Sequence, residues 1–159
     1  MSSRVILLHP MTAAPQPAAD RMDFDLDRLA SSLNGDWRAL VRLRANVLVT
    51  GPNPILHAFM EVCRGELRQP LAVASLPGPL PAHTTRTLVL TDIDLFDEAA
   101  QHRLFAWVDD PRNAETQIVS LTSARLFVLV NAGRFDRDLY YHLNQIHLKL
   151  DITVEPDGG

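Results

Sequence analysis

Lysine is nearly missing from this chain. Of its 15 basic residues only Lys149 is a lysine and the others are arginines. Chemistry that needs a lysine amine anywhere before position 149 is thereby excluded. Cysteine is equally scarce: Cys63 is the only one, so neither an intrachain disulfide nor a cysteine zinc site can form. There is no excess of positive charge either. The 15 basic residues face 19 acidic ones for a net charge of −4, which argues against a nucleic-acid footprint. Long apolar runs are absent: Val5–Leu8 stops at His9-Pro10, and no stretch approaches the ~20 apolar residues of a membrane span. A cytoplasmic chain is the expectation. What remains is an ordinary globular composition, 47% hydrophobic and 21% charged over 159 residues, enough for one domain with a sizeable core.

The pattern along the chain is that of alternating strands and helices. Arg4–Leu8 reads as a short N-terminal strand, and residues 10–20 as a Pro/Ala linker. Between Asp25 and Leu43 apolar residues recur at helical spacing, interrupted at Asn34-Gly35, which predicts two short helices. Five β-rich runs follow, at 46–50, 71–74, 87–91, 117–121 and 145–150. Their continuous apolar character suits strands covered on both faces, as in a parallel sheet. Helical stretches at 55–66, 97–109 and 124–143, the last broken at Gly133, separate most of them. The prediction is a three-layer α/β fold with a five-stranded parallel sheet. Pro77-Gly78-Pro79-Leu80-Pro81 precludes a helix between the second and third of these strands. Asp94 is expected to cap a helix starting near Leu95, helped by Asp97. Cys63 reads as a small core residue, and Trp107 as packing its helix on the sheet.

A strand ending in Gly51 and entering a helix occupies the place of a phosphate-binding loop, G-x-x-x-x-G-K-[ST]. The eight residues here, Gly51-Pro52-Asn53-Pro54-Ile55-Leu56-His57-Ala58, keep only the first glycine. The downstream text is more specific. Phe135-Asp136-Arg137-Asp138-Leu139-Tyr140-Tyr141-His142-Leu143-Asn144 resembles F-R-E-D-L-Y-Y-R-L-N of the sigma-54-dependent transcription activators, which are AAA+ ATPases. Upstream, Thr122, Leu126, Leu129-Val130 and Gly133-Arg134-Phe135 match A-T-N-R-D-L-x-x-L-V-x-x-G-x-F without a gap. Thr87–Ile93 resembles the Walker B strand T-L-F-L-D-E-I, and Pro70–Ala74 resembles P-F-V-A-x. The resemblance covers residues 45 to 150.

That resemblance implies a P-loop NTPase core, and its departures imply that catalysis is lost. The phosphate-loop lysine is His57 and its hydroxyl residue is Ala58. The Walker B Asp is Thr91 and its catalytic Glu is Asp92. The sensor Asn is Ser123. The two arginines that act on a neighbour's nucleotide correspond to Asp136 and His142. A single such arginine is worth ~10³-fold or more in rate. The expectation is a pseudo-ATPase with Gly51, His57, Asp92 and Ser123 as remnants of a nucleotide site, and with weak or absent ATP and magnesium binding. No zinc-ligand spacing links the histidines. The sigma-contacting G-A-F-T-G-A insertion is replaced by the Pro77–Pro81 turn, and the lid and DNA-reading helices are expected to be absent. The domain boundaries follow: a strand and linker over 1–20, a degenerate AAA+-like domain over 21–151 and a tail over 152–159.

Phe127 and Val128 stand where the family has two acids, which marks them as a candidate interaction surface. The functional expectation is a catalytically inactive protein that works by protein contact, with a sigma-54-dependent activator as the candidate partner, and that exists as a monomer or dimer. The alternative is a module that binds a nucleotide or another small molecule without hydrolysing it.

Overall fold

A computed structural model describes residues 2–8 and 37–152. The predicted linker 10–20, the first of the two short helices before position 34 and the tail beyond residue 152 lie outside the described residues.

Strand β1 (Ser2–Leu8) is followed by a helical segment over residues 37–43, α1. Then come β2 (Val47–Thr50), α2 (Asn53–Cys63), β3 (Leu71–Ala74) and β4 (Thr87–Leu90). The chain continues through α3 (Glu98–Asp109), β5 (Gln117–Thr122), α4 (Leu126–Asn131), α5 (Arg137–Leu143) and β6 (Ile146–Ile152). All five predicted strands are present within two residues of the runs that announced them. They pair parallel, and β1 adds to the edge, giving a six-stranded sheet in the order β1-β6-β2-β5-β4-β3. β1 runs parallel to β6 along its whole length, from Ser2 opposite Ile146 to Leu8 opposite Ile152.

Alternation along the strands sends side chains to two separate cores. Val47, Val49, Val119, Leu121, Leu148 and Leu150 point to one face, against Trp37 and Val41 of α1 and Ile55, Phe59 and Cys63 of α2. Leu48, Leu88, Leu90 and Ile118 point to the other, against α3, α4 and α5. Because both faces are covered there, β4 and β5 are buried along their entire length.

Helix boundaries follow local chemistry. The Asp97 side chain accepts a 2.8 Å hydrogen bond from Ala100 N and caps α3. This corrects the expectation for Asp94: residues Ile93–Leu95 form a single 3₁₀ turn, and the helix begins only at Glu98. Gly133, at φ +71°, ends α4 as its position in the sequence implied. The proline-rich connection between β3 and β4 is held from outside itself: Trp107 Nε1 donates to Pro81 O at 3.1 Å and Arg103 Nη2 to Pro77 O at 3.4 Å.

Candidate functional site

The loop after β2 is the first place to test for a phosphate cradle. Such a cradle needs free backbone N–H groups facing a common point. Here α2 starts at Asn53, so Ile55 and Leu56 already lie in the helix and are buried. Pro52 and Pro54 carry no N–H. Gly51 N donates to Thr122 O at 3.3 Å, and Ile55 N and Leu56 N donate to Pro52 O at 3.0 and 3.1 Å. His57 is exposed on α2. Gly51 has a packing reason of its own: a Cβ there would stand 2.8 Å from the Leu150 carbonyl oxygen. The residues present do not fit a nucleotide triphosphate held in the manner of a P-loop.

The carboxyl end of β4 gives a second test. Asp92 is exposed and sits in the left-handed region at φ 52°, a conformation that Asp tolerates better than most residues. The Asp94 carboxylate accepts a 2.7 Å hydrogen bond from Thr122 Oγ1, and Thr122 Oγ1 in turn accepts from Ala124 N at 3.1 Å. Asp94 therefore ties the end of β4 to the end of β5 instead of capping a helix. Among the described residues no group of His, Cys, Asp and Glu is arranged to hold a metal ion.

Asp136 caps α5, its carboxylate accepting from Leu139 N at 2.8 Å. His142 is exposed at the end of α5, with its ring edge-on to Phe105 at 5.6 Å between centroids. The junction before α5 is held by the buried Gln101. Its Nε2 donates to Phe96 O and Arg134 O, both at 2.9 Å, and its Oε1 accepts from Asp136 N at 2.8 Å.

Of the residues singled out in the sequence, Gly51, Ser123, Phe127 and Val128 line one cleft of about 560 Å³. His57, Asp92, Asp136 and His142 do not line it. The cleft lies at the carboxyl ends of β2 and β5. From β2 the chain turns to the α2 face, and from β5 to the α4 face, so the two strands diverge there. Such a divergence opens a crevice in doubly wound sheets. Leu48, Leu126 and Tyr140 form its apolar floor and side, with the Phe127 and Tyr140 rings 6.1 Å apart. Phe127 and Val128 remain 53% and 57% exposed at its rim.

Four polar lining residues were not singled out by sequence reasoning for a site: Thr50, Arg125, His147 and Lys149. Thr50 Oγ1 and His147 Nε2 share a 2.7 Å hydrogen bond. Burial, and secondarily the charge of Lys149, push the His147 imidazole below its ordinary pKa. A signal existed, since His147 and Lys149 alternate with Leu148 and Leu150 in one strand. Reading it needed the knowledge that β6 lies beside β2, with His147 opposite Leu48 and Lys149 opposite Thr50.

This all-parallel sheet with helices on both faces is the α/β core of the AAA+ proteins. A family model described as the sigma-54 interaction domain matches residues 73–152, and the chain belongs to that family. Among solved structures, the ADP and ATP complexes of NtrX from Brucella abortus each align with a TM-score of 0.56 at 16% identity over 76% of this chain. A further NtrX structure aligns with the same score at 14% identity over 75% of this chain. At that identity the likeness is one of fold. The chain spans 35% of the first of these NtrX chains. No curated protein sequence matches.

Proposed function

We propose that this chain is a catalytically silent sigma-54-interaction-type core, spanning residues 21–151 with β1 added to its edge, that acts by protein contact in transcription regulation. The observation that carries this reading is the start of α2 at Asn53, which puts into helix the residues a phosphate loop would leave free. With the Gly51, Ile55 and Leu56 N–H groups already spent and Pro52 and Pro54 lacking one, the loop is too poor in donors to wrap a triphosphate, and a chain with no lysine before position 149 has no substitute amine.

Asp136 and His142 support the same reading. In the resembled family these positions carry arginines that stabilise charge on a neighbour's nucleotide. The carboxylate of Asp136 is instead committed to capping α5, and a carboxylate facing a phosphate would repel it. The partner that fits is an active AAA+ domain of a sigma-54-dependent activator, met through the exposed Phe127 and Val128, in a compartment where such activators work.

The test pairs two measurements on the full chain. Steady-state ATP hydrolysis should not exceed the rate of buffer alone. Addition of the chain to a catalytically competent sigma-54 activator should lower that activator's hydrolysis, and Val128→Asp should remove the effect. Turnover by the isolated chain, or an activator unaffected at a saturating excess, would refute the reading.

A further inference from the structure

Charge is spread unevenly over this fold. The chain as a whole is acidic, with a net charge of −4, yet arginines gather at the amino end of the sheet, opposite the cleft beside Gly51. Arg44 stands just before β2, Arg68 just before β3 and Arg86 just before β4, while Glu115 precedes β5. The strands run parallel in the order β2-β5-β4-β3. These residues therefore form a row in which one carboxylate stands among three guanidiniums.

Two fully buried residues fix that row. Thr87 and Gln117 are register partners across β4 and β5. Thr87 Oγ1 donates to Arg68 O at 2.8 Å, and Gln117 N donates to Arg86 O at 3.0 Å. Gln117 Nε2 donates to Ala45 O at 2.8 Å and so holds the residue that follows Arg44. The Arg68 and Arg86 side chains then converge on Glu115. Arg68 Nη2 donates to the Glu115 carbonyl oxygen at 3.3 Å, and Arg86 Nη1 to the Glu115 carboxylate at 3.4 Å. Arg44 is within electrostatic reach of Arg68. Burial first, and then the charges of Arg44 and Arg86, hold the Arg68 guanidinium below its ordinary pKa, and Glu115 acts the other way.

The groups do not balance. Three guanidiniums, charged at any ordinary pH, face one carboxylate, which leaves two positive charges uncompensated. Donors are left over as well. Each guanidinium carries five N–H groups. Arg68 and Arg86 each spend one in the contacts above, and among the described residues the Arg44 guanidinium spends none. Arg44 and Arg86 are exposed, so these donors open to solvent. A phosphate monoester matches this surplus: it carries nearly two negative charges at pH 7 and three acceptor oxygens, and guanidinium forks pair with its oxygens two at a time. A carboxylate brings half that charge. A nucleic acid spreads single charges along a strand, and a chain of net negative charge repels it.

We propose that Arg44, Arg68 and Arg86 form a binding site for a dianionic phosphoryl group, free or borne as a monoester, at the amino end of the sheet. This goes beyond the protein-contact reading and is independent of it. Phe127 and Val128 stand at the carboxyl end, and binding is read on the isolated chain with no partner present.

The test is calorimetric titration of the full chain at low salt and pH 7.5 with methyl phosphate and dimethyl phosphate, which differ by one charge. The dianion should bind one-to-one and roughly fivefold or more tightly than the diester. Arg86→Gln should weaken the dianion roughly fivefold. Arg44→Asn should do the same, asparagine being chosen because it tolerates the left-handed backbone at this position, φ 56°. Glu115→Gln should tighten binding by about the same factor, a gain that damage to the fold does not produce. All three residues are exposed, and circular dichroism verifies that each variant is folded. Inorganic phosphate and a capped phosphoserine peptide, titrated beside methyl phosphate, separate the sources, and the tightest of the three names the ligand. Equal affinity for monoester and diester, folded arginine variants that bind as the parent does, or no gain in Glu115→Gln would overturn the proposal. So would displacement of methyl phosphate by a single-stranded oligonucleotide at lower phosphate concentration, which would assign the patch to nucleic acid.

Discussion

Gly51 lies against Leu150 so closely that a Cβ on the glycine would meet the Leu150 carbonyl oxygen at 2.8 Å and its Cβ at 3.1 Å. The first glycine of a phosphate-loop pattern is thus required here by the approach of the β2–α2 corner to β6. Gly51 N donates to Thr122 O on the opposite side, so the corner is wedged between two strands and cannot move aside. Gly51→Ala should destabilise the fold by about 1–3 kcal/mol, measured as a lower urea midpoint with unchanged m-value. A neutral substitution would show that the corner relaxes freely.

Gln101 makes a comparable commitment with hydrogen bonds. Its amide is buried and joins three backbone groups, at Phe96, Arg134 and Asp136. Gln101→Leu keeps the volume but leaves those groups unpaired. Roughly 1–3 kcal/mol of stability should be lost, with faster hydrogen exchange at Asp136 N than at the α3 core. Retention of that protection would sever the link between Gln101 and the α5 junction.

His147 gives the fold a pH dependence of defined sign. Its folded pKa lies below the unfolded 6.5, first because of burial and second because of Lys149. The unfolded chain therefore binds the proton more readily. The contribution is fully present above about pH 6.5 and is lost as the pH falls toward the lower folded value. The melting temperature should drop on acidification from pH 7.5 to 5, and His147→Gln should flatten the part of that drop due to this residue. Lys149→Gln should flatten it in part. An opposite slope would contradict the burial of the ring against Thr50.

Cys63 should be chemically silent. It is buried, and burial, aided by Glu66, pushes its thiol up to about 12. Since the thiolate is the reactive form, 5,5′-dithiobis(2-nitrobenzoate) at pH 8 should label the native chain at the rate of its unfolding and the denatured chain at once. Prompt labelling of the native protein would place Cys63 at the surface.

Ser120 offers the reverse kind of test. Its hydroxyl is buried on β5 with no hydrogen-bond partner among the described residues. An unpaired buried hydroxyl costs free energy, so Ser120→Ala should leave stability unchanged or raise it by up to about 1 kcal/mol. A clear loss would reveal a partner for the hydroxyl.

Local pattern sufficed for the strands and most of the helices. Runs such as Thr87-Leu88-Val89-Leu90 have no polar face, and only burial on both sides of a sheet accommodates that. Gly133 and the Pro77–Pro81 turn act through φ and through missing N–H groups, which are properties of single residues. Asp94 went the other way. Both Asp94 and Asp97 precede the α3 pattern, and either spacing permits a cap. Thr122, 28 residues downstream, decides that Asp94 serves β5 and leaves the cap to Asp97.

The lone lysine shows the same division at the site. The sequence by itself determined that no lysine reaches a phosphate loop, because composition and position are independent of folding. It also determined, through two prolines, that the loop after β2 is short of donors. Only the tertiary structure decided where Lys149 goes. Alternation assigns it a face of β6, but which strand lies beside that face is set by pairing across about a hundred residues, which local pattern does not encode. β6 falls next to β2, and this brings Lys149 and His147 together with Thr50 and Tyr140 at the mouth of an apolar cleft.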